Sequence, residues 1–483
     1  MNSPQTITKA EANPSAVLPE AVVVSLYAAQ EKIYPRSISG FFTKWRWVMI
    51  WLTQLFFYGM PWLAWGQRQA LLFDLEAKRF YIFNLVFYPQ DLIYLTAILI
   101  ISALSLFLFT AVAGRLWCGY TCPQTVYTEI FLWIESKIEG DRAARIKLDE
   151  SAMSAKKLLK KGSKHFVWIT FALWTGFTFV GYFTPIRELL AEFIHHDVGP
   201  WETFWVLFYG FATYGNAGFM REQVCKYMCP YARFQSAMFD DDTLIVTYDE
   251  ARGEPRGGRS RKVESDSHGL GSCIDCSLCV QVCPTGIDIR KGLQYECIGC
   301  GACADVCDTV MDKMGYARGL VKYSTQHAVT NNWTHKQMLQ RIVRPRVLIY
   351  ATILTLLVTG LLVSLWLRTP FRVDVVRDRG VMARLVDGGL LENVYRLQIM
   401  NATETVQHYR ISASGIEGLI VESDGEEVNR TITVEPAEAR WISVRLEIPD
   451  GSIEPGSHKV EFQIQSLESK ETVAEKSIFL VPR

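Results

Sequence analysis

The chain is 483 residues long, enough for roughly three domains, with a formal net charge of zero and 49% hydrophobic residues. Aromatic side chains are abundant, 14 Trp, 20 Tyr and 26 Phe, and long apolar runs put the chain in the membrane class rather than among soluble enzymes. The balanced charge makes no electrostatic case for nucleic acid, and no nucleic-acid partner is expected.

Residues 1–43 are polar and Pro-punctuated, hold no signal-peptide run, and read as a mobile cytoplasmic arm. Residues 44–239 read as a membrane domain with four apolar runs, at 45–65, 92–112, 166–183 and 201–219. A fifth, at 347–367, lies within residues 341–369. Each approaches the ~20 residues needed to cross ~30 Å of hydrocarbon, with lipid as the partner. Trp at both ends of the first run suits the membrane interface. Lys and Arg set the orientation. The loop 115–164 holds ten of them, whereas 184–200 holds Arg187 alone, so the first is expected inside and the second outside. That puts the N-terminus in the cytoplasm and the C-terminus outside a bacterial cytoplasmic membrane. The loop 66–91, with Arg68, Lys78 and Arg79, fits this rule least well.

Two helical hairpins, spans one and two and spans three and four, each end in C-x3-C-P: Cys118 and Cys122, then Cys225 and Cys229. Pro after the second Cys suits the first position of a new helix. Cys122 and Cys229 would then sit at helix N-termini, whose partial positive charge favours thiolate. Four sulfurs at one membrane face could be structural thiols or a soft-metal site for Cu(I), zinc or another iron–sulfur centre. Met220, Met228 and Met238 lie nearby and could hand on a soft ion; His195 and His196, beside Asp197, are a second candidate copper site.

Residues 240–272 read as a tether, basic from Arg252 to Lys262, solvated near anionic lipid or docking an acidic electron donor. Two runs of C-x2-C-x2-C-x3-C follow within the expected ferredoxin domain, 240–340. In two-cluster ferredoxins the fourth Cys of each run serves the other cluster. One [4Fe–4S] cluster is therefore expected on Cys273, Cys276, Cys279 and Cys307, and a second on Cys297, Cys300, Cys303 and Cys283. Zinc sites usually use paired C-x2-C rather than runs of four, and nothing here marks a secreted disulfide framework. All 12 Cys fall on the reducing side of the expected topology. Residues 370–483 alternate with period two between D-G and P-G turns and suggest a small antiparallel sandwich that binds or braces.

The runs G-R-L-W-C-G-Y-T-C-P and E-Q-V-C-K-Y-M-C-P-Y, with the double ferredoxin motif, resemble the FixG/CcoG (RdxA) family of cytochrome c oxidase accessory proteins. The resemblance covers nearly all of the chain after residue 30. It implies two [4Fe–4S] clusters, an exported immunoglobulin-like tail and cupric reductase activity that supplies Cu(I) for a cbb-type oxidase. Cys118, Cys122, Cys225 and Cys229 would form the copper-reducing site. The partners it implies are a cytoplasmic electron donor, a copper chaperone or exporter, and oxidase assembly components; a homodimer is among the assemblies left open. Two other readings are carried beside it: a conduit between a cytoplasmic donor and quinone or an exported redox partner, and a non-redox assembly scaffold.

Overall fold

The computed structural model describes residues 32–260, 269–378, 383–386, 388–423, 426–427 and 431–482. Residues 1–31 of the arm, Arg261 and Lys262 of the basic stretch, and Arg430 within the expected sandwich lie outside them. A long helix stands at each of the five apolar runs: Phe41–Gly59, Leu92–Ala113, Ala155–Val180, Pro200–Gly215 and Pro345–Trp366. Among the described residues, the segments Pro89–Ala113 and Pro345–Trp366 are long and apolar enough to cross a membrane. The other three helices are more polar or shorter. The first carries Lys44 and Arg46, the third opens on K-K-L-L-K-K, and the fourth is 16 residues long. Apolar side chains such as Trp51, Leu99, Phe166, Phe211 and Leu356 still face outward from all five, a surface suited to lipid.

The first helix is shorter than its apolar run. Pro61 has no N–H to bond the Phe57 carbonyl, so the α-helix ends at Gly59, the chain turns through Met60–Trp62, and Ala64–Trp65 pairs with Arg68–Gln69. The expected hairpins are realised unequally. Helices three and four pack closely at Gly176, where a Cβ would lie 2.3 Å from the Val206 carbonyl oxygen, the small-residue contact that lets helix backbones approach. The first helix instead packs on the later helix Ala302–Met314 and, among the long helices, on the third and its end, through Tyr58 Oη to Thr175 Oγ1 at 2.7 Å and Tyr182 Oη donating to the Phe57 carbonyl at 2.8 Å. The second pairs with the fifth, where Tyr94 Oη lies 3.2 Å from Ser364 Oγ.

The loop read least well from the sequence forms a three-stranded sheet, Leu71–Asp74, Arg79–Ile82 and Leu85–Phe87. Leu72, Tyr81, Val86 and Tyr88 share a buried cluster with Met400 and Ala437 of the C-terminal part. Tyr88 Oη donates to the Asn401 carbonyl at 2.8 Å, and buried Asp91 pairs with Arg368 at 2.6 Å and Arg372 at 2.7 Å. The C-terminal part is an all-antiparallel sandwich. One sheet runs 426–427, Ile420–Ser423, Ala439–Pro449, Leu390–Asn401, Phe371–Arg377, with Arg384–Val386 also on Leu390–Asn401. The other runs Ile432–Val434, Gln407–Ser414, Gly456–Ser466, Thr472–Val481. Alternate residues such as Leu397, Ile399, Val444, Leu446, Phe462 and Ile464 fill the space between the sheets, as period-two strands require.

On the opposite side, helices Pro123–Glu139 and Arg142–Glu150 build an ion network. Glu135, 1% exposed, meets Arg221 at 2.9 Å and both Lys164 and Arg145 at 3.3 Å. Burial raises the Glu135 carboxyl pKa, but the three cations outweigh it and hold the group down at about 2. A carboxylate depressed in this way stabilises the fold fully above its unfolded pKa of about 4.3, and the contribution is lost as pH falls toward the folded value. Glu135→Gln strands the buried Arg145 and Arg221, while Lys164 keeps Glu139 at 2.9 Å, so it is expected to cost about 3–5 kcal/mol at pH 7. The gap from the parent chain should narrow between about pH 4 and pH 2. Thermal unfolding of both proteins at several pH values checks this; a gap that widens on acidification would show the sign is wrong.

Candidate metal and electron-transfer site

The segment read as a tether is largely part of the ferredoxin fold. Ile245–Tyr248 pairs antiparallel with Val321–Ser324, Ile245 opposite Ser324 and Tyr248 opposite Val321. The backbone N–H of Gly257 donates to the Cys273 carbonyl at 3.3 Å. Between these strands lie the short helix Leu278–Gln281 and the helix Ala302–Met314. Each helix carries one or two Cys of its run and packs them toward Val310, Met311 and Leu320.

Two small cavities result. One, of about 390 Å³, is lined by Cys273, Cys276, Cys279 and Cys307 among apolar side chains. The other, of about 340 Å³, is lined by Cys283, Cys297, Cys300 and Cys303, with Cys279 at its edge. The grouping is crossed: Cys283 and Cys307 each face the cavity of the other run. Burial pushes Cys307 and Cys297 up to about 12 and Cys279 up to about 11, and further raises come from the neighbouring cysteines. Thiolates in so apolar a setting need a cationic partner, which iron supplies. The Gly299 N–H also donates to Cys297 Sγ at 3.4 Å, a bond that favours the charged sulfur. Among the described residues no three His, Cys, Asp or Glu side chains converge on a single ion. Ligands that meet four corners of a cube stand farther apart than ligands of one ion. The two donor sets therefore fit [4Fe–4S] clusters, one held by each set.

Both C-x3-C-P prolines open helices, Pro123–Glu139 and Pro230–Met238, with Cys122 and Cys229 at the N-cap positions. Of two π-helical turns, Asn216–Met220 precedes the second motif and Val224–Met228 carries its first cysteine, Cys225; such turns occur often at functional sites. Cys118 feels the charges of Cys122 and Cys225, and Cys225 those of Cys122 and Cys229. The four sulfurs are thus neighbours, although no three meet at one point. The expected thiolate stabilisation at the helix start does not win at Cys122. Desolvation raises its pKa, and the backbone N–H groups of Thr125 and Gln124 only reduce the rise. Burial likewise takes Cys118 to about 12 and Cys225 to about 11. Free of metal, these three sites are held as thiols.

The two sites touch. Gly119, between Cys118 and Cys122, lies so close to the second ferredoxin run that a Cβ would sit 2.8 Å from the Ile298 carbonyl oxygen and 2.9 Å from Cys300 Cα. Cys118 packs against the apolar group formed by Val282, Ile298, Cys300, Ala302 and Val306, and its thiol donates to Gln235 Oε1 at 3.3 Å. The Arg115 guanidinium ties the backbone carbonyls of Tyr295 and Ala232 together. Tyr323 Oη donates to the Gly299 carbonyl at 2.6 Å and lies 3.3 Å from Tyr120 Oη. At the start of the first long helix, the Asp305 carboxylate accepts from the backbone N–H of Phe42 at 3.1 Å and of Thr43 at 2.7 Å, a helix cap supplied from the ferredoxin fold.

Several of these residues escaped the sequence reading: Gln235, Asp305 and Tyr323 are lone side chains without a motif, and Arg115 and Gly119 carry no signal of their own beside the cysteines. The arm also departs from its expected mobility over its described part. Arg36 N–H donates to the Gln281 carbonyl at 2.8 Å, Tyr34 Oη to Asp149 at 2.7 Å, and Ile38 packs beside Cys300. It is a strap between the basic loop and both ferredoxin runs. His195, His196 and Asp197 are exposed at the end of helix Ile186–His195, with His196 as its left-handed C-cap. Met228 points outward, while Met220 and Met238 are half-buried.

Comparison with known proteins matches these segments to families. A 4Fe-4S dicluster domain matches residues 220–326, a 4Fe-4S binding domain matches 95–140, and the IG-like fold at the C-terminus of FixG matches 361–482. Both C-x3-C-P motifs thus fall within iron–sulfur family matches. The nitrogen fixation protein FixG of Rhizobium meliloti is 32% identical over 461 residues, 88% of each chain. Protein RdxA of Cereibacter sphaeroides is 38% identical over 437 residues, 88% of this chain and 91% of that one. The crystal structure of a FixG-related protein from Vibrio parahaemolyticus is 26% identical over 23% of this chain and 97% of its own, with a TM-score of 0.21. The chain is an iron–sulfur electron-transfer protein with a C-terminal β domain.

Proposed function

The chain belongs to the FixG/RdxA family, and on that premise we propose that it is a membrane-bound cupric reductase supplying Cu(I) for assembly of a cbb-type cytochrome c oxidase. One observation carries the reading: the Cys118–Cys122 loop lies against the second ferredoxin run with room for no side chain at Gly119. Bound to the eight ferredoxin thiols, two [4Fe–4S] clusters supply electrons one at a time. Copper is the substrate, and each Cu(II) takes up one electron to become Cu(I). The ion is held near Cys118, Cys122, Cys225 and Cys229, the thiols that bind it giving up protons, and thiolate ligands favour the reduced state. Gln235 and Arg115 fix the loop that presents Cys118. The Cu(I) then passes to a chaperone or exporter, and a cytoplasmic donor renews the electrons.

The reading is tested by reducing the anaerobically purified chain with dithionite, removing excess reductant, and adding Cu(II). One Cu(I) should form for each electron lost from the iron. Reoxidation without Cu(I) would leave a conduit or a scaffold instead.

The same reading keeps five spans, N-terminus inside and C-terminus outside. Its support is that the helix ends fall into two sets of contacts. The sheet at 71–87, the turn at Tyr182 and the sandwich touch one another, with Phe73 N–H donating to the Tyr182 carbonyl at 2.7 Å. The basic loop and the arm instead contact the ferredoxin fold. A reporter active only outside the cytoplasm should work after Arg483 or within residues 188–199 and fail within 142–161. Activity in the basic loop would overturn the five-span topology.

A further inference from the structure

A third, larger cavity of about 740 Å³ lies beside the second ferredoxin run, between the first long helix, the Pro123–Glu139 helix and the strap. Most of that volume is its open mouth; about 180 Å³ is cavity proper, room for a single six-membered ring. Its walls are the indoles of Trp47 and Trp133, 6.3 Å apart and edge to face, with Arg46, Arg145, Glu129 and Ser136. Arg46 and Arg145 are 6% and 2% exposed, and the Nε of each is buried without a hydrogen-bond partner. Arg46 also pairs with Glu129 at 2.8 Å. The lining is thus rich in donors and flat aromatic surface, which fits a planar ring bearing acceptor oxygens. Val282, Pro284 and Ala302 close the cavity on the side of Cys283, Cys300 and Cys303, and Arg46 lies within electrostatic reach of Cys300. A positive charge there favours arrival of an electron. Trp45, Val48 and Trp51 on the adjoining turns of the first helix face outward, so a lipophilic molecule reaches the cavity from the bilayer.

We propose that this cavity binds the head-group of a membrane quinol and that the quinol is an electron source for the site beside it. The proposal rests on the iron–sulfur reading of Cys283, Cys297, Cys300 and Cys303, and not on copper. Oxidation of one quinol breaks its two O–H bonds and gives the quinone, two protons and two electrons. The protons leave to water at the mouth, where Arg36 and Ser37 are exposed; the electrons leave singly to the thiolate-bound iron.

The test uses the full, cluster-loaded chain in phosphatidylcholine nanodiscs with a fluorescent hydroxyquinoline N-oxide, a quinone analogue quenched on binding. One analogue should bind per chain. Ser136→Trp, which fills the cavity, and Arg46→Gln, which removes the positive charge, should each weaken binding about tenfold or more, the scale of a lost charged hydrogen bond. Iron content reports whether each variant has folded, and Trp133→Ala replaces any that has not. Decylubiquinol should reduce the iron of the parent chain, read by electron paramagnetic resonance, with two electrons delivered per quinol. Equal analogue binding by the parent and Ser136→Trp chains would overturn the proposal. So would displacement of the analogue by inorganic phosphate or phosphatidylglycerol, which would assign the cavity to a phosphate ester. Copper reduction is measured apart with dithionite, so a failure of quinol and a failure of copper are told apart.

Discussion

Replacing Cys283 with Ser is expected to remove the iron held with Cys297, Cys300 and Cys303 and to spare the iron held by its own sequence neighbours. Iron should fall from about eight atoms per chain to about four, with acid-labile sulfide in step. The reason is geometric. The Leu278–Gln281 helix ends at Val282, and Cys283 emerges into the second cavity, its sulfur 3.3 Å from Thr285 Oγ1. The first cavity is completed from a distance by Cys307, which feels the charges of Cys279, Cys273 and Cys276. Cys307→Ser should therefore remove the other half. Each variant leaves three thiols around an apolar cavity that no longer gathers four iron ligands; quinol oxidation, which delivers its electrons beside Cys283, Cys300 and Cys303, should fail in Cys283→Ser. Paramagnetic resonance and iron analysis of the two variants side by side check the assignment. Selective loss of the cluster on Cys273, Cys276 and Cys279 in Cys283→Ser would show that the crossing is wrong.

The crossed grouping could be written from the sequence because cysteine spacing is a covalent constraint that survives any packing. The sandwich was legible for a similar reason: strands such as Gln407–Ser414 and Gly456–Ser466 alternate more and less buried side chains, and alternation is a local signal. What failed was tertiary. Nothing local in residues 240–260 says that Ile245–Tyr248 will find a partner at Val321–Ser324, more than 70 residues away. The strap is similar, since Ile38 becomes core only when the second ferredoxin run arrives. The helix-start argument for Cys122 named a real local effect but omitted desolvation, which depends on the fold around it and is larger. The sheet at 71–87 was obscured because its charges were weighed for sidedness, while Leu72, Tyr81 and Val86 were building a face against the sandwich.

Cys122→Ser should retain about eight iron atoms per chain yet reduce Cu(II) at least about tenfold more slowly. A serine hydroxyl is a harder ligand than thiolate and does not favour Cu(I). Cys122 lines neither iron-binding cavity, so cluster spectra should be unchanged. Cys229→Ser should behave alike, since Cys229 occupies the same position before the second helix-opening proline. Gly119→Ala asks whether the contact between the two sites matters separately from the ligands. Its methyl group would meet the backbone of Ile298, Gly299 and Cys300 at 2.8–2.9 Å. Backbone cannot rotate aside as a side chain can, so one loop must move away from the other. All four C-x3-C-P sulfurs remain in this variant, and copper should still bind. The expected signature is near-normal Cu(I) affinity and iron content with slowed reduction. Normal rates in Cys122→Ser and Cys229→Ser, at full iron content, would mean that copper meets the electrons elsewhere and these cysteines are structural. A normal rate in Gly119→Ala alone would keep the ligands and discard the contact as the path.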